Sequence, residues 1–316
     1  MSNPSVQPSL SAELVRQHTS VRWPRPGFGS TGDRWRLLAE VAQDDLALVK
    51  VVEAHHDAVA ILDDLGGSGV DAHDIWAVWA AEPPFAVLTA RETSTGWRLT
   101  GAKAFCSGAA LATRALVTAE TPGGSRLFAI GAQAPGVVVD RAAPRWAGHG
   151  MNRSGTASLH FADVAGQPIG PVGAYTERTG FWLGAIGIAA CWLGGARGVA
   201  ARLEDSAHLD PHGLAHRGAV RAAIDTASLA LDAAGVVVDG PEPPIQQVHR
   251  LALSLRSVMV DLTDAVIRHV GRALGPGPLA FDLEHADRVA DLQVFVRQHH
   301  AERDLADLGA MEVGHA

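Results

Sequence analysis

Residues 96–110 read GWRLTGAKAFCSGAA and residues 148–164 read GHGMNRSGTASLHFADV, and the reading of these two blocks decides the fold. In the first, Trp97, Leu99, Gly101 and Lys103 alternate with smaller or polar neighbours and lead to Phe105. That is the period of a half-buried strand, with Thr100-Gly101 read as a turn that implies antiparallel pairing. Further short runs follow at Ala115 to Ala119, Arg126 to Ile130, Val137 to Val139 and Ser158 to Phe161, each bounded by Gly, Pro, Asp or Asn. Five or six such strands within about 80 residues make a compact antiparallel barrel or sandwich.

On either side of these blocks the period changes. Leu38, Ala42, Leu46, Val49, Val52, His56, Val59 and Leu62 step by three or four, which predicts one long helix over 35–62, ended by Gly66-Gly67. Asp74 to Ala81 reads as a helical or extended piece closed by Pro83-Pro84. Downstream, Gln167-Pro168 and Gly170-Pro171 read as a linker into helices near 178–205, 213–236, 244–274 and 284–308. The stripes Val220, Ile224, Ala227, Leu231, Ala234 and Ile245, Val248, Ala252, Leu255, Met259 each lie on one face, as in a four-helix bundle. The expected class is α+β, with a helical unit at 1–83, a β unit at 84–167 and the bundle at 168–316. Residues 1 to about 10 read as a loose tail.

Composition narrows the function. The chain has 316 residues, 47% hydrophobic, a net charge of -8 and 26 Lys+Arg without a cluster, which argues against nucleic acid as the main partner. Cys106 and Cys191 are the only cysteines and form no CxxC pair, so a reducing cytoplasm is expected and a disulfide framework is not. The opening MSNPSVQPSLSAELV has neither the basic region nor the apolar core of an export signal. Thr179 to Ala196 is uncharged and imitates a membrane span, but it holds five glycines and precedes an ordinary amphipathic pattern. It reads as a buried bundle helix, so no membrane partner is expected.

In this order of elements the chain resembles the acyl-CoA dehydrogenase superfamily. Five stretches carry the resemblance: Ala81-Glu82-Pro83; Gly96 to Gly108; Gly150 to Thr156 leading to Phe161-Ala162-Asp163-Val164; Leu193-Gly194-Gly195-Ala196-Arg197; and Arg288-Val289-Ala290-Asp291. The resemblance implies FAD between the β unit and the bundle, an acyl thioester on CoA or a carrier protein as substrate, and a homodimer or homotetramer, with a heteromer as the alternative. It also allows an electron-acceptor flavoprotein as partner. Phe105 would pack on the flavin ring and Ser107 would donate to its polar edge; the plainer alternative is a core Phe and a turn Ser. Gly275 and Gly277, in Gly275-Pro276-Gly277-Pro278, fall where the family has a loop that touches the partner subunit's FAD. A simple helix-to-helix turn would look the same.

The family's catalytic glutamate is missing from both of its usual places. One aligns with His299 and the other falls near Gly184. A histidine can serve as a base near neutral pH, so His299 is the catalytic candidate. A surface pair of His300 with Asp304 competes with that reading. A metal site from His299, His300 and Glu302 is not expected, because adjacent histidines point to different helix faces; His55-His56 meets the same objection. The family's Gly-Ser-Asp after the Glu-Pro is replaced by Phe85-Ala86-Val87, its Arg-x-x-Phe-Gly has no counterpart near Leu209 to Arg217, and its CoA-facing arginine has only Arg178 nearby. The leading expectation is therefore FAD-dependent α,β-dehydrogenation of an acyl thioester. The alternatives are a flavin-dependent monooxygenase of the same fold, whose members resemble this chain in carrying a histidine near 299, and a non-catalytic subunit of a heteromeric dehydrogenase.

Overall fold

A computed structural model of the chain describes residues 10–67 and 70–313. The expected tail lies outside the described residues apart from Leu10, which is buried. Three helices follow: α1 (Ala12–Thr19), α2 (Thr31–Asp44) and α3 (Leu46–Leu65). The single helix expected over 35–62 is thus two. Asp45 is extended, with φ −153°, and its carboxylate accepts the Leu48 N–H at 2.9 Å, so it caps α3 instead of continuing α2. The apolar stripe runs across this break, which is why periodicity alone does not show it. Gly66, at φ +74°, closes α3 in the left-handed conformation, as its position predicts.

Seven strands build the β unit: β1 (Trp76–Trp79), β2 (Leu88–Thr93), β3 (Gly96–Cys106), β4 (Arg114–Thr121), β5 (Gly124–Gly131), β6 (Val137–Val139) and β7 (Ala157–Ile169). Their order is β1-β4-β2-β3-β7-β5, with β6 paired to β7 off this path, and pairing of β4 with β5 closes a barrel around Leu99, Val117, Phe128 and Phe161. The pairing is not wholly antiparallel. β1 runs parallel to β4 from Trp76–Arg114 to Trp79–Val117, and β2 meets the same edge in parallel at Thr89–Glu120. The β2–β3 hairpin intervenes between β1 and β4, so the chain re-enters at the end where β1 began, and the Thr113 N–H donates to the Ile75 carbonyl at 2.9 Å.

Thr100-Gly101 is not a turn but a bulge inside an unbroken β3, with a register shift between Leu99 and Gly101. Gly101 has φ +131°, and any Cβ there would overlap the Val87 carbonyl oxygen. The hairpin turn lies earlier, between Thr93 and Gly96. Gln167-Pro168 belongs to β7, where it pairs with Ala129 and Phe128, so the chain leaves the barrel only at Gly170, at φ +65°.

The bundle comprises α5 (Thr179–Glu204), α6 (Pro211–Val238), α7 (Ile245–Leu274) and α9 (Leu283–Phe295), with short α4 (Ala174–Glu177) and α8 (Gly277–Phe281) at its corners. The helix expected over 284–308 is interrupted. After α9 the chain makes one 3-10 turn (Val296–Gln298), passes His299 in extended conformation and Ala301 at φ +47°, and resumes as α10 (Glu302–Val313). The guanidinium of Arg256 donates to the Gln298 carbonyl at 3.0 Å, taking that oxygen out of the helical ladder.

α5 is the hub. Among the described residues it is the one helix long and apolar enough to cross a membrane, but 78% of its apolar window is buried inside the fold. Its glycines serve close packing on two sides. A Cβ at Gly194 or Gly198 would crowd the carbonyls of Ala39 and Gln43 on α2, and one at Gly195 would meet Leu46 on α3.

Candidate functional site

The end of β3 presents an aromatic to solvent. A second register shift, between Lys103 and Cys106, leaves Phe105 at φ +58° with 55% of its surface exposed, while Ala104 and Cys106 on either side are buried. The outward Phe105 ring meets Phe85 edge-on at 6.3 Å between centroids. Phe85, in Phe85-Ala86-Val87, is thus a second exposed ring beside the first. Phe105 is not a core residue.

Ser107 lies one step further along. Its Oγ is 3.0 Å from Thr156 Oγ1, which is 2.8 Å from Ser154 Oγ, and Ser154 donates to the Met151 carbonyl at 2.6 Å. The Trp79 indole N–H donates to the Ser107 carbonyl at 3.0 Å and fixes the backbone. The two sequence blocks thus meet in one row of hydroxyls. Lys103 is buried in the barrel, where its ammonium donates to Thr118 Oγ1 at 2.7 Å and to the Ala81 carbonyl at 3.1 Å. It pins the Ala81-Glu82-Pro83 stretch to the barrel.

His299 occupies the break between α9 and α10, with only 6% of its side chain exposed. The Ala301 N–H donates to its Nδ1 at 3.1 Å, so the neutral ring carries its proton on Nε2, which lies 3.5 Å from Asp304 Oδ2. Its edge faces Trp192 at 6.3 Å, and Arg256 covers the same indole at 4.8 Å. Burial, aided by the positive charge of Arg256, pulls the His299 pKa below its usual value against the pull of Asp304. The competing pair is present too: His300 Nδ1 is 3.3 Å from Asp304 Oδ1, and Asp304 is buried between both histidines.

α3 connects these two places. The Cβ position of Gly108, beside Ser107, lies 3.4 Å from the Val51 methyls, while the adjacent Lys50 reaches Gln298 Oε1 at 3.4 Å. The same helix carries a feature that the periodicity reading missed: Lys50, Glu53, Asp57 and Asp64 form a charged stripe on a helix that is apolar apart from these, His55, His56 and Asp63. Spacings of three, four and seven residues put them on one side, and that was legible in the sequence. A Cβ at Gly184, the second place of the missing glutamate, would lie 3.1 Å from Asp57 Oδ1.

The remaining candidates lie elsewhere. Gly275 caps α7 at φ +66° and Gly277 opens α8, both with open space beside them. The 13 residues of α9, about 20 Å, separate them from His299. A cleft of about 400 Å³ opens between the α2–α3 junction and α9, and its carboxylates Asp44, Asp45, Glu284, Asp287 and Asp291 outnumber Arg153 and Arg288, which makes it unsuited to an anionic phosphate. His55 and His56 are structural: His55 Nδ1 accepts the Trp76 N–H at 3.2 Å, and His56 stacks on Trp23 at 4.0 Å. Burial pushes their pKa values down to about 4 and about 2. Among the described residues no group of three or more His, Cys, Asp or Glu side chains is placed to hold a metal ion.

No family model matches the chain, and no curated protein matches it by sequence. Solved structures do match. TdsC of Paenibacillus sp. A11-2, a dibenzothiophene monooxygenase, solved with FMN and indole, is 20% identical with a TM-score of 0.75, over 96% of this chain and 95% of its own. Methanesulfinate monooxygenase MsuC of Pseudomonas fluorescens is 17% identical with a TM-score of 0.74, over 90% of this chain and 84% of its own. KijD3, solved with FMN and dTDP-3-amino-2,3,6-trideoxy-4-keto-3-methyl-D-glucose, is 19% identical with a TM-score of 0.71, over 96% of this chain and 91% of its own. At these identities the likeness shows the fold, the acyl-CoA dehydrogenase-like architecture of these neighbours.

Proposed function

We propose that the chain is a flavin-dependent monooxygenase using FMN, and not the FAD-dependent acyl-thioester dehydrogenase that leads the sequence expectations. The observation that carries this reading is the hydrogen bonding of His299. With Nδ1 engaged by the Ala301 N–H, the neutral ring offers a donor, Nε2–H, whereas dehydrogenation of an acyl thioester needs a free basic atom to take the α-proton. The FMN-bound neighbours TdsC and KijD3 and the monooxygenase MsuC support it.

The residues present fit a flavin. Phe105 and Phe85 offer exposed aromatic faces for the ring system, and the Ser107–Thr156–Ser154 row, whose protons run toward the Met151 carbonyl, offers the Ser107 hydroxyl oxygen as an acceptor for a ring N–H. When bound, reduced flavin supplies the electrons that activate oxygen. The protein's share is to orient and to exclude water: Trp79 fixes the Ser107 backbone, Trp192, itself covered by Arg256, holds the His299 ring, and the Nε2–H of His299, which has no hydrogen-bond partner and stands 3.5 Å from Asp304 Oδ2, would donate to a developing negative charge.

One observation favours dehydrogenation: Asp57 brings a carboxylate to the place of the missing glutamate beside Gly184. A single experiment separates the two. The purified protein is loaded with FMN or FAD, followed by its visible spectrum, and given acyl-CoA without oxygen; in parallel, oxygen uptake is measured with externally reduced FMN. The monooxygenase reading expects a flavin spectrum with FMN, no bleaching by acyl-CoA, and oxygen uptake. Bleaching by acyl-CoA overturns it, and a protein that stays colourless with either flavin points to the non-catalytic subunit.

A further inference from the structure

The charged stripe of α3 faces the small residues of α5. Asp57 abuts Gly184, Asp64 abuts Gly180, and the charge of Glu53 is felt at Cys191, about two turns beyond Gly184 on α5. Asp64 is fully engaged, by Arg25 at 2.6 Å and Arg178 at 2.9 Å, and Asp57 lies 3.8 Å from a second nitrogen of Arg178. Glu53 differs. Only 6% of its surface is exposed; among the described residues no hydrogen bond or ion pair is formed with its carboxylate, whose oxygens are not among the fully enclosed unpartnered atoms.

A nearly enclosed carboxylate without a donor favours its protonated form unless a cation joins it. The surrounding groups are already directed elsewhere. From α2, Arg34 donates to the Pro24 carbonyl at 3.2 Å; on α3, Lys50 reaches Gln298 at 3.4 Å; and α5 contributes the buried thiol of Cys191. Beyond Asp57 stand Arg178 and Tyr175. Half-buried aromatics follow, with Tyr175, whose face carries Arg178 at 5.6 Å, edge-on to Phe181 at 5.4 Å, and Phe181 edge-on to Trp182, which stacks on His249, at 5.1 Å. Aromatic faces beside carboxylates are the chemistry that recognises a cationic nitrogen.

We infer that Glu53, with Asp57 beside it, anchors a protonated amine of the substrate in the seam between α3 and the Phe181–Gly184 turn of α5. The inference deepens the monooxygenase reading and rests on it only for what becomes of the amine; binding does not require the flavin. Burial and the charge of Asp57 push the Glu53 carboxyl up to about 7, against Lys50 and Arg34, so an arriving ammonium displaces a proton that the empty site holds near neutrality. An alkylamine stays cationic to about pH 10, so its affinity rises as Glu53 ionises, by about tenfold between pH 6 and pH 8.

The test is calorimetric titration of the full-length protein, as purified, with n-butylamine and with n-butanol at both pH values, beside a separate titration with FMN. The site predicts that the amine binds at least tenfold more tightly than the alcohol at pH 8, with the tenfold rise. Glu53→Gln is expected to lose both the preference and the rise while keeping its FMN affinity. Gly184→Ala, which places a methyl beside Asp57 without changing charge, is expected to weaken the amine alone and serves if Glu53→Gln fails to fold. Equal affinity for amine and alcohol, or an unchanged preference in both variants, overturns the site. Amine binding without FMN binding upholds it and removes the flavin reading.

Discussion

Met151 donates its backbone N–H to Asp291 Oδ1 at 2.5 Å, and this bond ties the barrel to α9. The donor is held ready by strain: Met151 has φ +58°, and Gly150 before it lies so close to the Ala290 carbonyl that no Cβ fits. Two residues on, Arg153 pairs with Asp45 at 2.8 Å and fastens the same loop to the start of α3. One loop thus sets how the Ser107 hydroxyl row meets the bundle.

Gly150→Ala should force the loop off α9. A loss of about 2–4 kcal/mol in denaturant unfolding is expected, as for other backbone clashes, together with weaker FMN binding. Asp291→Ala removes the acceptor but not the close approach, so it should cost less, about 1–3 kcal/mol. Equal losses from the two variants would show that the close approach does not matter.

Glu53 makes stability depend on pH. Its folded pKa of about 7 stands above its ordinary 4.5, so the protonated form favours the fold. That contribution is complete below about pH 4.5 and is lost as pH rises through 7. Glu53→Gln, neutral throughout, should match the parent at pH 4.5 and exceed it at pH 8 by up to about 3 kcal/mol. Chemical unfolding at the two pH values measures this; a variant less stable than the parent at pH 8 would make Glu53 a structural counter-ion of Arg34.

Much of the fold could be read from residue order. The strands β4 to β6 follow from apolar runs between Gly and Asp, and Gly66 marks the end of α3 without ambiguity. The features that shape the site were harder because they are departures from period. Asp45 and His299 break helices whose apolar stripes continue through them, and no Gly or Pro marks either break. The exposure of Phe105 depends on a bulge two residues long, which parity cannot reveal. Glu53 and Asp57 were visible as charges on an apolar helix, but their burial depends on the glycines of α5, more than a hundred residues away in sequence.

His299 should titrate below its usual range, because burial and Arg256 outweigh Asp304. Asp304→Asn removes the larger of the two negative charges that raise it, the other being Asp261, so the pKa should fall further, with the ring still in place on the Ala301 N–H. Histidine NMR titration reads this directly. If Nε2–H is the working donor, His299→Ala should lower oxygenation by about 10²-fold or more while FMN affinity stays near that of the parent. Full activity of His299→Ala would remove the residue from the site.

Phe105 offers a separation of stability from function. An L-residue in the left-handed region costs about 1–2 kcal/mol, and Phe105 gains little packing to offset it, with 55% of its surface exposed. Glycine adopts that conformation freely but loses more chain entropy on folding, so Phe105→Gly should stabilise the protein by a net of about 0.5–1 kcal/mol. The same change removes an aromatic face proposed for the flavin, worth about 1 kcal/mol beyond area burial, so FMN should bind several-fold more weakly. Unfolding curves and FMN titration of one variant test both halves. A variant that is less stable than the parent and binds FMN equally well would mean that Phe105 holds the β3 bulge and does not meet the flavin.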